Sequence, residues 1–321
     1  MKRAMLMTAA AFAMLAASGV RAEGEKIAVF TKNNTNPFFQ AVRLGADSAA
    51  KQMNVTVTQF VPTKPDSIPE QMSQIEDVIV RRPDAIVFIP VDYKAMTPGV
   101  EKINRAGIPA VNIVDRSAGG KFVAFVGAND YTIGLATARH LIRALGGKGN
   151  VVIIEGVRGS LTSNDRVRGF QEAIKEAHGV KLLASQPANY QRLQALQVME
   201  NLMQSHPQID GVLAANDAMA LGALEALDGA KRKALVIGIN GTKEAVDAIK
   251  AGRLLASGDY NGFLQGCMGT MIAVRNLRKL PTPKEILLPP VVVDKSNYQP
   301  YDIPVESRTC PKWESMVKAG R

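Results

Sequence analysis

Residues Lys26–Val61 read KIAVFTKNNTNPFFQAVRLGADSAAKQMNVTVTQFV, and this stretch decides the fold. KIAVFT is a short, β-branched apolar run, the signature of a buried strand. Pro37 suits the first turn of a helix, where its missing N–H is no loss, and that helix should reach about Met53. VTVTQFV at Val55–Val61 alternates with period two and reads as a second strand. The unit is strand, helix, strand, and the rest of the chain repeats it. A helix over about Ser67–Val80 precedes the five-residue apolar run Ala85–Ile89. Further helices are expected at Ala95–Arg105, Tyr131–Leu145, Ser163–Ala177, Arg192–Ser205, Ala218–Leu227, Lys243–Lys250 and Phe263–Leu277. Strands are expected at Ala110–Val114, Phe122–Val126, Asn150–Glu155, Val180–Ser185, Gly211–Ala215, Ala234–Ile239 and Leu254–Ser257. In the helix at Arg192–Ser205, Leu193, Leu196, Met199 and Leu202 fall on one stripe and predict its buried face. Continuous apolar strands separated by helices imply parallel sheets covered on both faces. About ten strands are unusual for one open sheet, so two α/β lobes of five or six strands are expected, with Gly127–Asp130 as a crossing point. The segment from about Lys295 is Pro-rich and polar, holds the only tryptophan, Trp313, and is expected to wrap a lobe.

Composition agrees with a folded globular chain. The 321 residues are 46% hydrophobic and 21% charged, and the length suits two domains. The formal net charge is +10, but no Lys/Arg run with interleaved aromatics marks a nucleic-acid surface, so no nucleic-acid partner is expected. Lys2-Arg3, the uncharged apolar run from Ala4 to about Ala17, and Val20-Arg21-Ala22 have the layout of a secretory signal peptide over residues 1–22, with cleavage before Glu23. The run is shorter than the ~20 residues a spanning helix needs. Export to a periplasm follows as the expectation. Cys267 and Cys310 would meet an oxidising compartment there, which leaves one disulfide as an open alternative to two free thiols.

Motifs for catalysis and cofactors fail. His140, His178 and His206 are scattered without metal-ligand spacing. Gly156–Ser160 reads GVRGS, not a nucleophile elbow. Gly146-Gly147-Lys148-Gly149 lacks the first glycine and the trailing Ser/Thr of a phosphate loop and reads as a helix-to-strand turn. No GxGxxG follows the first strand. No enzyme activity, cofactor or metal is expected. What remains are polar and aromatic residues at the C-terminal ends of strands, where open α/β sheets bind ligands. They are Asn36, Phe38 and Phe39 after the first strand, Asp115 and Arg116 after the fourth, Arg166 in the helix after Asn150–Glu155, and Tyr190, Asn216 and Asn240 after three later strands. Each alone also fits a cap, a surface ion pair or core. Together, planar polar groups and aromatic faces suit a hydroxyl-rich ring.

TNPFF at Thr35–Phe39, VDR at Val114–Arg116, LASQPANYQR at Leu183–Arg192, VMENLMQSHP at Val198–Pro207, ANDAMALGALEAL at Ala215–Leu227 and GINGT at Gly238–Thr242 resemble the ribose-type sugar-binding proteins of ABC importers, a type I periplasmic binding protein family. The resemblance covers nearly all the chain after residue 22. It implies an α/β fold of two doubly wound parallel-sheet lobes joined by three hinge strands, closing on a buried ligand. Crossings near Ala128, Tyr260 and Val291 would give one lobe of 26–127 plus 261–290, another of 128–260 plus 291–296, and a tail at 297–321. The resemblance further implies that Asn36, Asp115, Arg116, Arg166 and Asn216 hydrogen-bond ligand hydroxyls, that Asp115 orients Arg116, and that Phe38, Phe39 and Tyr190 sandwich the ring. Asn240 stands where the ribose binders have aspartate, Tyr260 about where they have glutamine, and Lys32 where they have serine and autoinducer-binding relatives have lysine. These departures shift the expected charge of the cleft towards positive.

Three function classes follow. The first is a monomeric transport receptor for a monosaccharide, polyol or related small polar ligand, partnered by a membrane permease. The second is a signalling or chemotaxis receptor for an autoinducer or sugar acid, partnered by a chemoreceptor. The third, a DNA-binding repressor, needs a helix-turn-helix before the first lobe, where this sequence has the signal-peptide pattern.

Overall fold

The computed structural model describes residues 24–315. The expected signal peptide and its expected cleavage site before Glu23 lie outside the described residues. The first sheet is built from β1 (Lys26–Phe30), β2 (Thr56–Phe60), β3 (Ala85–Phe88), β4 (Ala110–Ile113) and β5 (Phe125–Ala128), with α1 (Pro37–Met53), α2 (Ile68–Arg81) and α3 (Thr97–Arg105) between them. The second contains β6 (Lys148–Glu155), β7 (Gly179–Pro187), β8 (Gly211–Ala214), β9 (Leu235–Asn240) and β10 (Ala256–Asp259). Its helices are α4 (Asp130–Ala144), α5 (Leu161–Glu176), α6 (Arg192–Ser205), α7 (Asp217–Gly229) and α8 (Lys243–Lys250). The chain then returns to the first lobe through α9 (Gly262–Leu277) and β11 (Glu285–Leu288), and crosses again into β12 (Val291–Asp294). Strand order is β11-β5-β4-β3-β1-β2 in one sheet and β12-β10-β9-β8-β6-β7 in the other. Every pairing is parallel except β10 with β12. Strand order reverses beside β1 in one sheet and beside β6 in the other, so both crevices open at the C-terminal strand ends.

Apolar burial follows the strand runs. Phe30, Ile86 and Phe88 pack with Ile75, Val78, Val100 and Ile103 on one face of the first sheet. The opposite face shares a continuous cluster with the second lobe through α1, α9 and the crossing strands. Several boundaries differ from the sequence expectation. The fifth strand forms at Phe125–Ala128 rather than Phe122–Val126, because regular parallel register with β4 begins only at Asn112 opposite Phe125. The last strand of the second lobe runs Ala256–Asp259, two residues later than expected, in register with Ile237–Asn240. In α6 the buried face is Ala195, Met199 and Leu202, whereas Leu193 is 66% exposed in the first turn. Gly146 and Gly147, both at positive φ, make the turn from α4 into β6.

The polar tail touches both lobes rather than wrapping one. Asp302 accepts from Lys250 at 2.7 Å and pairs with Lys243 at 3.1 Å, both on α8. Eight residues later Cys310 is disulfide-bonded to Cys267 of α9. Its carbonyl accepts from Gln52 at 2.6 Å, its amide donates to Ser48 at 3.1 Å, and Arg275 lies over the Trp313 ring.

Candidate ligand-binding site

The C-terminal strand ends of both lobes face one another across a narrow cavity of about 30 Å³. Lys32, Asn36, Phe38, Phe39, Asp115, Arg166, Tyr190, Asn216, Asn240 and Tyr260 all line it. Four residues of the lining, Asp66 at φ 56° among them, sit on backbone that L-residues rarely adopt. Tyr190 has φ 59°, Asn240 has φ 146°, and Val114, which also lines the cavity immediately before Asp115, has φ 65°. For a β-branched valine that value is an outlier, and such strain persists where the surrounding fold over-determines it.

Local structure explains how each group is aimed. Asn36 caps α1, its side-chain oxygen accepting from the Phe38 amide at 3.0 Å, and this leaves its NH₂ as the free donor. Asn216 caps α7 in the same way, accepting from Met219 at 2.9 Å while its NH₂ donates to the Tyr190 carbonyl at 3.4 Å. Capping and cavity lining therefore coexist in both asparagines. Asn240 is not a cap: Thr242 caps α8. The turn that carries Asn240 is held by buried Asp217, which accepts from Ser257 Oγ, Thr242 N and Thr242 Oγ1 at 2.5–3.0 Å. Tyr190 reaches inward over Gly156, where an added Cβ would meet the phenol ring at 2.1 Å. The Tyr190 hydroxyl and Asn240 Oδ1 are buried and take part in no hydrogen bond. Burial holds the Tyr190 phenol protonated, its pKa pushed up to about 12.

The charged groups form two clusters. On the first lobe, Lys32 Nζ lies 3.2 Å from Asp115 Oδ2 and 3.8 Å from Asp66 Oδ1, and Asp115 Oδ1 accepts from Thr162 of the second lobe. Burial opposes the charge on Lys32, but the two carboxylates outweigh it and hold its pKa above the ordinary lysine value. Burial raises Asp66, against the pull of Lys32. In the other cluster, Arg166 Nε donates to Asp130 Oδ1 at 2.8 Å and Nη1 to the Ala215 carbonyl at 2.7 Å, and its guanidinium stacks 4.5 Å over the Tyr260 ring. The Tyr260 hydroxyl donates to Asp130 Oδ2 at 2.9 Å.

Arg116 does not join the cavity. Its guanidinium is ion-paired with Glu285 and lies 3.8 Å over the Phe125 ring, and the residue lines neighbouring grooves between the lobes. Asp115 is therefore oriented by Lys32 and Thr162, not by Arg116. Lys32 is buried and paired rather than extended to solvent, and the two cations of the site, Lys32 and Arg166, meet three carboxylates, Asp66, Asp115 and Asp130. The sequence reading passes over Asn33, Asp66, Val114 and Thr162, all on the cavity. The strand-end rule applied to the loop after β2 would have reached Asp66. Thr162 lies one helical turn before Arg166 on α5 and shares its face.

Two doubly wound lobes, a chain that crosses three times, and polar groups from both lobes converging on one cleft define the architecture. The family described as periplasmic binding protein domain matches residues 27–280. The chain belongs to this family. A ribose import binding protein of Haemophilus influenzae is 31% identical over 282 residues, covering 87% of this chain and 94% of that protein. A solved ABC transporter periplasmic solute binding protein of Actinobacillus succinogenes with bound D-allose has a TM-score of 0.82 at 34% identity, covering 86% of this chain and 100% of that one. A Caulobacter myo-inositol binding protein bound to myo-inositol has a TM-score of 0.81 at 28% identity, covering 87% and 96%. These relatives are binding proteins rather than enzymes.

Proposed function

We propose that this chain is a periplasmic solute receptor that captures an uncharged monosaccharide or polyol between its lobes and presents it, chemically unchanged, to an ABC permease. The observation that carries the reading is the convergence of thirteen polar and aromatic side chains from both lobes on one cleft whose cations are already paired. Phe38, Phe39 and Tyr190 offer apolar faces to C–H surfaces. Asn36, Asn216 and Asn240, with the unpartnered Tyr190 hydroxyl, offer donors and acceptors to hydroxyls. A sugar acid is the weaker candidate, since its carboxylate would share the cavity with Asp66 and Asp115 and find both cations already paired. The autoinducer reading rests on Lys32, and its ammonium is engaged by Asp115 and Asp66.

Relatives associated with ribose, D-allose and myo-inositol support the class without choosing within it. Titration calorimetry with those three compounds and with D-gluconate tests it. Heat from at least one neutral compound and none from gluconate is expected; binding of gluconate alone would refute it. Small-angle scattering should show a smaller radius of gyration with the bound compound, as lobe closure requires. Intact mass of periplasmic extract tests export, with an N-terminus at Glu23 expected.

A further inference from the structure

We propose that Asp130 is a positioning residue for this site: one carboxylate at the first lobe crossing holds Arg166 of the second lobe and Tyr260 of the second crossing in a single arrangement. The inference rests on the reading that Arg166 and Tyr260 face a bound sugar or polyol. Asp130 itself is not among the cavity-lining groups.

The geometry is specific. Asp130 lies two residues after β5 ends, and Tyr260 directly follows β10. The two oxygens of Asp130 are divided, Oδ1 accepting from Arg166 Nε and Oδ2 from the Tyr260 hydroxyl. Tyr260 in turn lies 3.3 Å from the Val114 carbonyl, on the strained backbone next to Asp115. The three groups thus connect the second lobe, two crossings and the first lobe. An acid in the first turn of a helix has an ordinary role, favourable interaction with the helix dipole. Here Asn129 already caps α4 through the Thr132 amide, and both Asp130 oxygens point across to other elements. With Nε committed to Asp130 and Nη1 to Ala215, the guanidinium plane is set and its remaining N–H groups are directed, not free to rotate.

The arrangement depends on the charge of Asp130. Arg166 from α5 and Tyr260 from the second crossing favour the ionised carboxylate. Burial and Asp115, from the loop after β4, oppose it and push its pKa up to about 6. Arg116, Asp165 and Arg168 line a groove on its other side. As pH falls through about 6, Asp130 takes a proton and the charge pair with Arg166 is lost, so affinity should fall in that window.

Two measurements test this. In calorimetry with D-ribose, D-allose and myo-inositol, Asp130→Asn should weaken the best-bound compound roughly tenfold or more, the loss expected when a charge-assisted bond becomes a neutral one. The loss of affinity between pH 7.5 and 5 seen in the unmodified protein should flatten in the variant. Binding within twofold, or an unchanged pH profile, would overturn the proposal. If none of the three compounds binds the unmodified protein, the sugar reading fails on its own, and the second measurement decides the positioning role without any ligand. The arginine Nε–H signal of Arg166, assigned by its disappearance in Arg166→Lys, should shift with one inflection near pH 6 and lose that inflection in Asp130→Asn. Should that variant not fold, Tyr260→Phe removes one bond to the ionised carboxylate and should move the inflection to higher pH. An Arg166 signal without an inflection, or one that neither variant changes, rules the positioning role out.

Discussion

Replacing Lys32 with methionine should unbalance the first-lobe cluster in a way that pH can reverse. The substitution keeps an unbranched apolar stem and removes the ammonium. It leaves Asp66 and Asp115 without their shared cation, at side-chain exposures of 21% and 15%. At an effective dielectric of about 20, contacts of 3.2 and 3.8 Å are each worth about 4–5 kcal/mol before desolvation. Methionine carries no desolvation penalty of its own, so part of that is returned. Removing one partner of a buried ion pair typically costs about 3–5 kcal/mol, and that is the expected loss near pH 8. In the variant, burial and repulsion from Asp115, no longer opposed by Lys32, lift the folded pKa of Asp66 further above its unfolded value of about 3.9. Such a group penalises folding above its folded pKa and ceases to do so as it takes up a proton. The deficit relative to the unmodified protein should therefore be largest at pH 8 and shrink towards pH 4.5. Urea unfolding at several pH values measures it. A deficit under about 1 kcal/mol at pH 8 that does not change with pH would show that Lys32 is not the counter-ion of this cluster.

Arg166→Ala removes one or two charged hydrogen bonds to ligand and should weaken binding on the order of a hundredfold by calorimetry, at roughly 1.5–3 kcal/mol per bond, whereas Arg116→Ala, which loses its contacts with Glu285 and the Phe125 ring, should stay within about threefold. Gly156→Val drives a side chain into the space the Tyr190 ring now fills, since even a Cβ there would lie 2.1 Å from the ring, so binding should be lost while circular dichroism stays native; retained affinity would take Tyr190 out of the site. Cys310→Ser opens a loop with a sequence separation of 43 residues, and the chain-entropy relation gives a stability loss of about 4 kcal/mol, read as a lower denaturant midpoint that added reductant does not lower further.

Much of the fold was legible because its cause is local. KIAVF and AIVF are buried strands by composition, and Pro37 with Asn36 before it marks a helix start that the structure keeps. The strand-end rule located cavity residues because parallel α/β topology turns every such end towards the crevice. What could not be read is the choice of partner. Arg116 and Lys32 are both cations beside Asp115, and only the packing of Phe125 and Glu285 shows that the arginine is drawn to them and the lysine to Asp115. Asp66 reaches Lys32 across 34 positions of chain through a loop whose Asp66 backbone sits at φ 56°. Leu193 belonged to a heptad-like stripe by spacing, yet it precedes the point where α6 meets its lobe, so periodicity overstated its burial. Asp130 was visible as part of a crossing, but its two partners lie 36 and 130 residues away.

The Cys267–Cys310 bond makes the last part of the chain a covalent ring. Within it lie the end of α9, β11, the third crossing, β12 and the tail segment fastened to α8, so the ring passes through both lobes and returns to its start. Cys310 follows every described strand, so the bond can join only after all of them have been synthesised. A protease that cuts once between residues 268 and 309 would separate nothing, because both new ends remain attached through sulfur. Where proteases are present, such a ring lengthens the working life of the molecule through its rate of coming apart.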